Sequence, residues 1–168
     1  MRLSKDIFEE LILELSKTPE ATEEEFKKRS TAVHEFVRVK NKTSKILATS
    51  KLIHYSLSNE NLNKIISNIT KRKTSDILSL HTIESSLNSE TKAHIDNHSE
   101  LTLNILLKDE FKGGNFYLNG KLYEELRKKG DHILYNGSKD KHSVSKITKG
   151  VRKSLVVWYK HTKNRSII

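Results

Sequence analysis

The second half of the chain is cut into short apolar runs by glycine-bearing dipeptides, and that spacing constrains the fold more than any other feature. Gly113-Gly114, Asn119-Gly120, Asn136-Gly137 and Lys149-Gly150 are turn signals. Around them lie the runs Ile77–Leu80, Leu101–Leu107, Asn115–Leu118, His132–Tyr135, Ser143–Ile147 and Val151–Tyr159. Each run is too short for a typical core helix, and their close spacing reads as the strands of a β-sandwich or barrel.

The first half has a different period. Ile7, Phe8, Leu11, Ile12 and Leu15 recur at helical spacing, and Pro19, the one proline of the chain, marks the end of that helix. Thr22 followed by Glu25 has the form of a capping box for a second helix running to about Val39. A third helical pattern is expected over Lys45–Leu57. A fourth covers Glu60–Thr70, with Leu62, Ile65, Ile66 and Ile69 on one side. The reading is a single domain over residues 1–168: a helical flank over 1–74, a β core over 75–160 and a tail over 161–168.

Charge and cysteine usage narrow the function. From Lys121 onward the chain holds 13 Lys/Arg against 4 Asp/Glu, which is nine of the ten net positive charges. Such a basic third attracts acidic partners or nucleic acid. No aromatic-basic cluster accompanies it, so a solvated lysine-rich surface is preferred to a nucleic-acid site. Absence of cysteine excludes disulfides and thiolate metal sites. The opening MRLSKDIFEELILELSK carries acids within its apolar pattern and reads as a helix, not a signal peptide. No run suffices for a membrane span, and a cytoplasmic location is the default expectation.

Within the β half, KAHIDNH places His94 and Asp96 two residues apart. On a strand, residues i and i+2 share a face, so an imidazole nitrogen and a carboxylate oxygen address one point. Such pairs are common, and two ligands do not hold a catalytic metal. Two histidines and one carboxylate on one face, with the opposite positions open, form the site of non-haem Fe(II) oxygenases. His34, His54, His81, His98, His132, His142 and His161 remain as sources of the third ligand.

The ordered set His94-x-Asp96, Phe111-x-Gly113-Gly114-x-Phe116, Gly130-Asp131, His142 and Gly150-x-Arg152 resembles the Fe(II)/2-oxoglutarate dioxygenase superfamily. Within it, the set is most similar to the prolyl 4-hydroxylase and procollagen lysyl hydroxylase branch. The resemblance covers about Ser75 to Lys160, half the chain. It implies an α+β protein: a double-stranded β-helix, or jelly roll, with the N-terminal helices packed on its major sheet. It further implies that His94, Asp96 and His142 ligate Fe(II), and that Arg152 pairs with the distal carboxylate of 2-oxoglutarate. A guanidinium suits that task, since it bonds carboxylates bidentately and stays charged. Ser154 is expected to donate to the same carboxylate. Along Leu101–Leu107, the set Leu101, Leu103, Ile105 and Leu107 reads as core beneath the helices. Thr102, Asn104 and Leu106 face the cavity, where Thr102 or Asn104 would contact the cosubstrate. Tyr135, on another strand, is a further candidate contact, against packing as its default role.

The reaction so implied consumes 2-oxoglutarate and O2 and hydroxylates an unactivated C–H bond. A carboxylate at Asp96, where related halogenases carry a small residue, favours hydroxylation. The branch points to a prolyl or lysyl residue in a peptide or protein. A free amino acid or small molecule is the first alternative, a nucleobase for oxidative demethylation the second, and a non-catalytic binding module the third. Trp158 stands where nucleic-acid demethylases carry a second arginine, which disfavours the nucleobase. The sequence does not decide the oligomeric state.

Overall fold

In a computed structural model, which describes residues 1–28 and 50–162, helices cover one face of a five-stranded antiparallel sheet and a second sheet lies over the other. In chain order the elements are α1 (Lys5–Ser16), α2 (Glu23–Lys28), β1 (Ser50–His54), α3 (Glu60–Thr70), β2 (Ile77–Ser85), β3 (Thr91–His94) and β4 (Leu101–Lys108). They continue with β5 (Phe111–Gly113), β6 (Phe116–Leu118), β7 (Lys121–Leu122), β8 (His132–Tyr135), β9 (His142–Val144), β10 (Ile147–Gly150) and β11 (Arg152–Tyr159). The major sheet has the order β1-β2-β11-β4-β8 and the minor sheet β3-β9-β6-β7, with β5 and β10 forming a separate ribbon.

Alternation along the strands sorts the major sheet into two faces. Leu103, Ile105 and Leu107 on β4 and Leu155, Val157 and Tyr159 on β11 face the helices. There they join Leu11 and Leu15 of α1 and Leu62 and Ile66 of α3 in one buried cluster. Leu62 and Ile66 are fully buried, which stabilises the fold by about 1.5–3 kcal/mol each. Asn59 caps α3 by accepting from the Leu62 amide at 3.1 Å. Its own Nδ2 donates to the Glu14 carbonyl at 3.1 Å and to Thr18 Oγ1 at 2.9 Å, tying the end of α1 to the start of α3. Tyr159 and Thr70 are joined by a 2.8 Å hydroxyl pair that pins the far end of α3 to β11.

The expected helices over Ile7–Leu15 and Glu60–Thr70 are present. The Glu25 amide donates to Thr22 Oγ1 at 3.2 Å, as the capping pattern predicts. The continuation of that helix toward Val39, and His34, lie outside the described residues. The third helical pattern is corrected: Ser50–His54 is the edge strand β1, antiparallel to β2, and residues 45–49 lie outside the described set. A short apolar stretch carries no period that separates strand from helix, and pairing along β2 decides it. The run Ser143–Ile147 is likewise two strands, β9 and β10, in different sheets. Lys149-Gly150 belongs to β10 rather than to a turn.

Two of the glycine signals act by different means. Asn119 and Gly120, at φ 52° and 79°, make the two-residue loop between Leu118 and Lys121, the geometry that Asn-Gly favours in a hairpin. Gly137 answers to space instead. A Cβ there would lie 2.6 Å from Thr102 Oγ1.

Candidate functional site

The inner face of the major sheet is as buried as the outer one but chemically unlike it. Strand register aligns Ser85 with Arg152, Ile83 with Ser154, His81 with Val156 and Ser79 with Trp158. On the other side of β11, Ser154 is opposite Leu106, Val156 opposite Asn104 and Trp158 opposite Thr102, and Thr102 in turn is opposite Tyr135 on β8. This face forms one wall of a cavity. Thr91, His94, Phe116, His142 and Val144 of the minor sheet form the other.

His94, Asp96 and His142 meet in that cavity, each with one ligand atom within 4.8 Å of the others. His94 and His142 are cross-strand partners on β3 and β9, which sets their rings 4.3 Å apart. Asp96 lies two residues beyond β3, in a turn rather than on the strand. Its amide donates to the Gly137 carbonyl at 2.7 Å, and its carbonyl accepts from Ser99 at 3.0 Å. Those bonds, and not strand alternation alone, bring its carboxylate back to the histidines.

The ring nitrogens define the donor set. His94 Nδ1 is 2.7 Å from the Lys92 carbonyl and His142 Nδ1 is 2.9 Å from the Asp140 carbonyl. A carbonyl only accepts, so both Nδ1 atoms hold a proton, and Nε2 is the atom each ring turns toward Asp96. His142 Nε2 is 3.0 Å from Asp96 Oδ2 and His94 Nε2 is 3.5 Å from Asp96 Oδ1. A positive charge holds these atoms together, either a proton on Nε2 or a metal cation in its place. Backbone carbonyls on the distal nitrogens are the usual support for metal-ligating histidine. Two nitrogens and one carboxylate from one side fit Fe(II). For Asp96, burial alone would raise the carboxyl, but the hydrogen bond and charge of His142, with His94 and His98, outweigh it and the net direction is down.

Arg152 is the second charged feature. It is 3% exposed, and among the described residues no carboxylate pairs with it. Nη1 donates to Ser154 Oγ at 3.2 Å, while Nε and Nη2 are buried without a partner. Burial pushes the guanidinium down to about 10, so it remains charged at neutral pH. A buried, charged and under-paired guanidinium costs several kcal/mol unless an anion joins it.

Arg152, Ser154 and Asn104 line the cavity as expected. Thr102 does not. It is wholly buried, and its hydroxyl pairs with Ser99 Oγ at 2.9 Å beside Gly137. His132 faces the opposite side of the sheet, opposite Ile105, and its amide donates to the Met1 carbonyl at 2.8 Å. Trp158 lines the cavity between two imidazoles, His81 at 4.7 Å and His98 at 4.3 Å between ring centroids. His98 is half-buried rather than a surface residue, and burial lowers its pKa. His81 and Ile83 of β2 also line the cavity and were not singled out from the sequence. The alternation Ser79, His81, Ser85 was the available signal: polar residues at alternate positions of a largely buried strand.

This architecture is a double-stranded β-helix, the fold of the prolyl hydroxylases to which it is similar. No family model matches the chain, and no curated protein matches it. Among solved structures, the chain is similar to a Trichoplax adhaerens prolyl hydroxylase in complex with a hypoxia inducible factor peptide fragment. The TM-score is 0.55 at 14% identity, over 70% of this chain and 66% of that one. It is similar also to the viral collagen prolyl hydroxylase of Paramecium Bursaria Chlorella virus-1, in a 2OG complex. That likeness has a TM-score of 0.51 at 11% identity, over 79% of this chain and 90% of that one. A Burkholderia pseudomallei oxidoreductase of the 2OG-Fe(II) oxygenase family aligns at TM-score 0.49 and 19% identity, over 62% of this chain. This chain spans about half, 52%, of that protein's length.

Proposed function

We propose that the protein is an Fe(II)- and 2-oxoglutarate-dependent hydroxylase acting on a prolyl or lysyl residue of a peptide or protein. The observation that carries this reading is a pairing within one cavity: a two-histidine, one-carboxylate donor set and a buried arginine without a counter-anion. His94, Asp96 and His142 would hold the metal by one face. Arg152 and Ser154, with Asn104 beside them, would hold the distal carboxylate of the cosubstrate. Fe(II) with 2-oxoglutarate and O2 supplies the oxidation of a C–H bond. The chain's own part is to fix the ligands through the Lys92 and Asp140 carbonyls, to orient the dicarboxylate, and to keep the site dry beneath Phe116, Val156 and Trp158. A peptide substrate is supported by the fold shared with prolyl hydroxylases, one of them holding a peptide fragment.

The test is succinate release under Fe(II), 2-oxoglutarate and O2, with a panel of prolyl and lysyl peptides followed by mass spectrometry for one added oxygen. Turnover should disappear in His142→Ala. Stoichiometric Fe(II) binding that survives both His142→Ala and Asp96→Ala would refute the site.

A further inference from the structure

We infer that Asn119 is a positioning residue for the metal ligands: from the tip of the β6–β7 hairpin, its side chain clamps the loop whose carbonyls orient His142 and Asp96. This rests on the metal-site reading above.

The loop of residues 136–141 serves two of the three ligands. Its Asp140 carbonyl accepts the Nδ1 proton of His142 at 2.9 Å, and its Gly137 carbonyl accepts from the Asp96 amide at 2.7 Å. The loop closes on itself between these two points. The Asp140 amide donates to the Asn136 carbonyl at 2.8 Å, and Asp140 Oδ2 accepts from the Asn136 amide at 3.0 Å. A turn tied in this way moves as a unit, so a hold on Asp140 is passed to both carbonyls.

Asn119 supplies that hold from another element. Pairing of β6 with β9 sets Phe116 opposite Val144 and Leu118 opposite His142, so Asn119 comes next, opposite Lys141. A hydrogen-bonded antiparallel pair exchanges two bonds between main chains. Here the Asn119 amide donates to the Lys141 carbonyl at 2.7 Å, but the return bond, from the Lys141 amide at 3.0 Å, goes to Asn119 Oδ1. With φ at 52° the residue has already entered the hairpin loop, and its side chain stands in for its carbonyl. The same side chain's Nδ2 donates to Asp140 Oδ1 at 3.1 Å. Asp140 is thus held by Asn136 on one oxygen and by Asn119 on the other. The hairpin alone requires none of this, because glycine meets its demand for positive φ as well as asparagine does.

The experiment reads the imidazole and the metal separately. Asn119→Gly keeps the positive φ and removes the side chain. In metal-free protein, proton–nitrogen correlation spectra should show the His142 Nδ1 resonance shifted. That of His94, whose proton goes to the Lys92 carbonyl on β3, should stay in place. In calorimetric titration without O2, Mn(II) should bind about 10-fold more weakly, the scale of a lost support behind a ligand. A second variant, Asn119→Asp, keeps an oxygen for the Lys141 amide and sets a carboxylate against Asp140. It should show the same selective shift and the same loss. Equal shifts at both histidines or at neither, or Mn(II) affinity equal to wild type in the two variants, overturns the assignment and leaves Asn119 a turn former. If Asn119→Gly does not fold, Asn119→Asp decides alone. Wild-type protein that binds no Mn(II) would defeat the metal reading itself, and the His142 resonance would still decide on Asn119.

Discussion

The two faces of β11 are equally buried and behave as opposites. Leu155, Val157 and Tyr159 look toward the helices, where they join one apolar cluster and the Tyr159 hydroxyl has Thr70. Arg152, Ser154 and Trp158 look the other way, into a cavity where, among the described residues, a guanidinium keeps two nitrogens unpaired and three atoms able to ligate a metal face one another. Burial alone therefore does not distinguish a core from a site. What distinguishes the two faces of β11 is a buried charge: on the cavity side the protein leaves the Arg152 guanidinium without a counter-ion among the described residues.

That comparison can be broken at several points. The largest effect is expected at the metal trio. Asp96→Ala should lower succinate release by roughly 10³-fold or more, since it removes an interaction worth several kcal/mol, while thermal stability changes little. A fall in Tm as large as that of a core substitution would move Asp96 to the structural side.

On the helix face, Leu155→Ala should cost about 2–5 kcal/mol in urea unfolding, with 2-oxoglutarate affinity of the folded fraction retained. Arg152→Met reverses the pattern. It should weaken 2-oxoglutarate binding by about 1.5–3 kcal/mol, yet leave Tm unchanged or higher, because it removes a buried charge that the protein does not neutralise. A destabilised Arg152→Met would mean that the arginine already has its partner.

Asp131 sharpens the contrast as a buried charge with a full set of partners. Its carboxylate accepts from Arg2 Nε at 2.6 Å and from the amides of Arg127 and Lys128 at 3.0 and 2.8 Å. Burial raises this carboxyl, but the Arg2 hydrogen bond and the two amides outweigh it, and the net direction is down. A carboxyl lowered in the folded state stabilises above its ordinary value of about 3.9, and the contribution is lost as pH falls through the native value. Wild type should therefore melt a few degrees above Asp131→Asn at pH 7, on the order of the shift one satisfied interaction produces, and the two should converge in acid. A gap that persists in acid after the native carboxyl has been protonated would assign the difference to something other than ionisation.

Much of this molecule is legible in its residues. Alternation along Leu101–Leu107 separates the helix-facing leucines from Asn104, and 3.6-residue spacing locates α1 and α3. Strand spacing with His94, Asp96, His142 and Arg152 in order points to the fold and its site. These features are local, and the chain's covalent geometry enforces them. Three others are not. Ser50–His54 became a strand only because the edge of β2 was there to pair with it. Thr102 shares the face of Asn104 yet is withdrawn from the cavity by Ser99, three residues before it, and by Gly137, which approaches from the loop after β8. Asp96 reaches the histidines through a turn held by Gly137, 41 positions away. Sequence determined which side chains could bind a metal and a dicarboxylate. Tertiary structure decided which of them meet, because hydrogen bonds between distant segments depend on packing that no local pattern encodes.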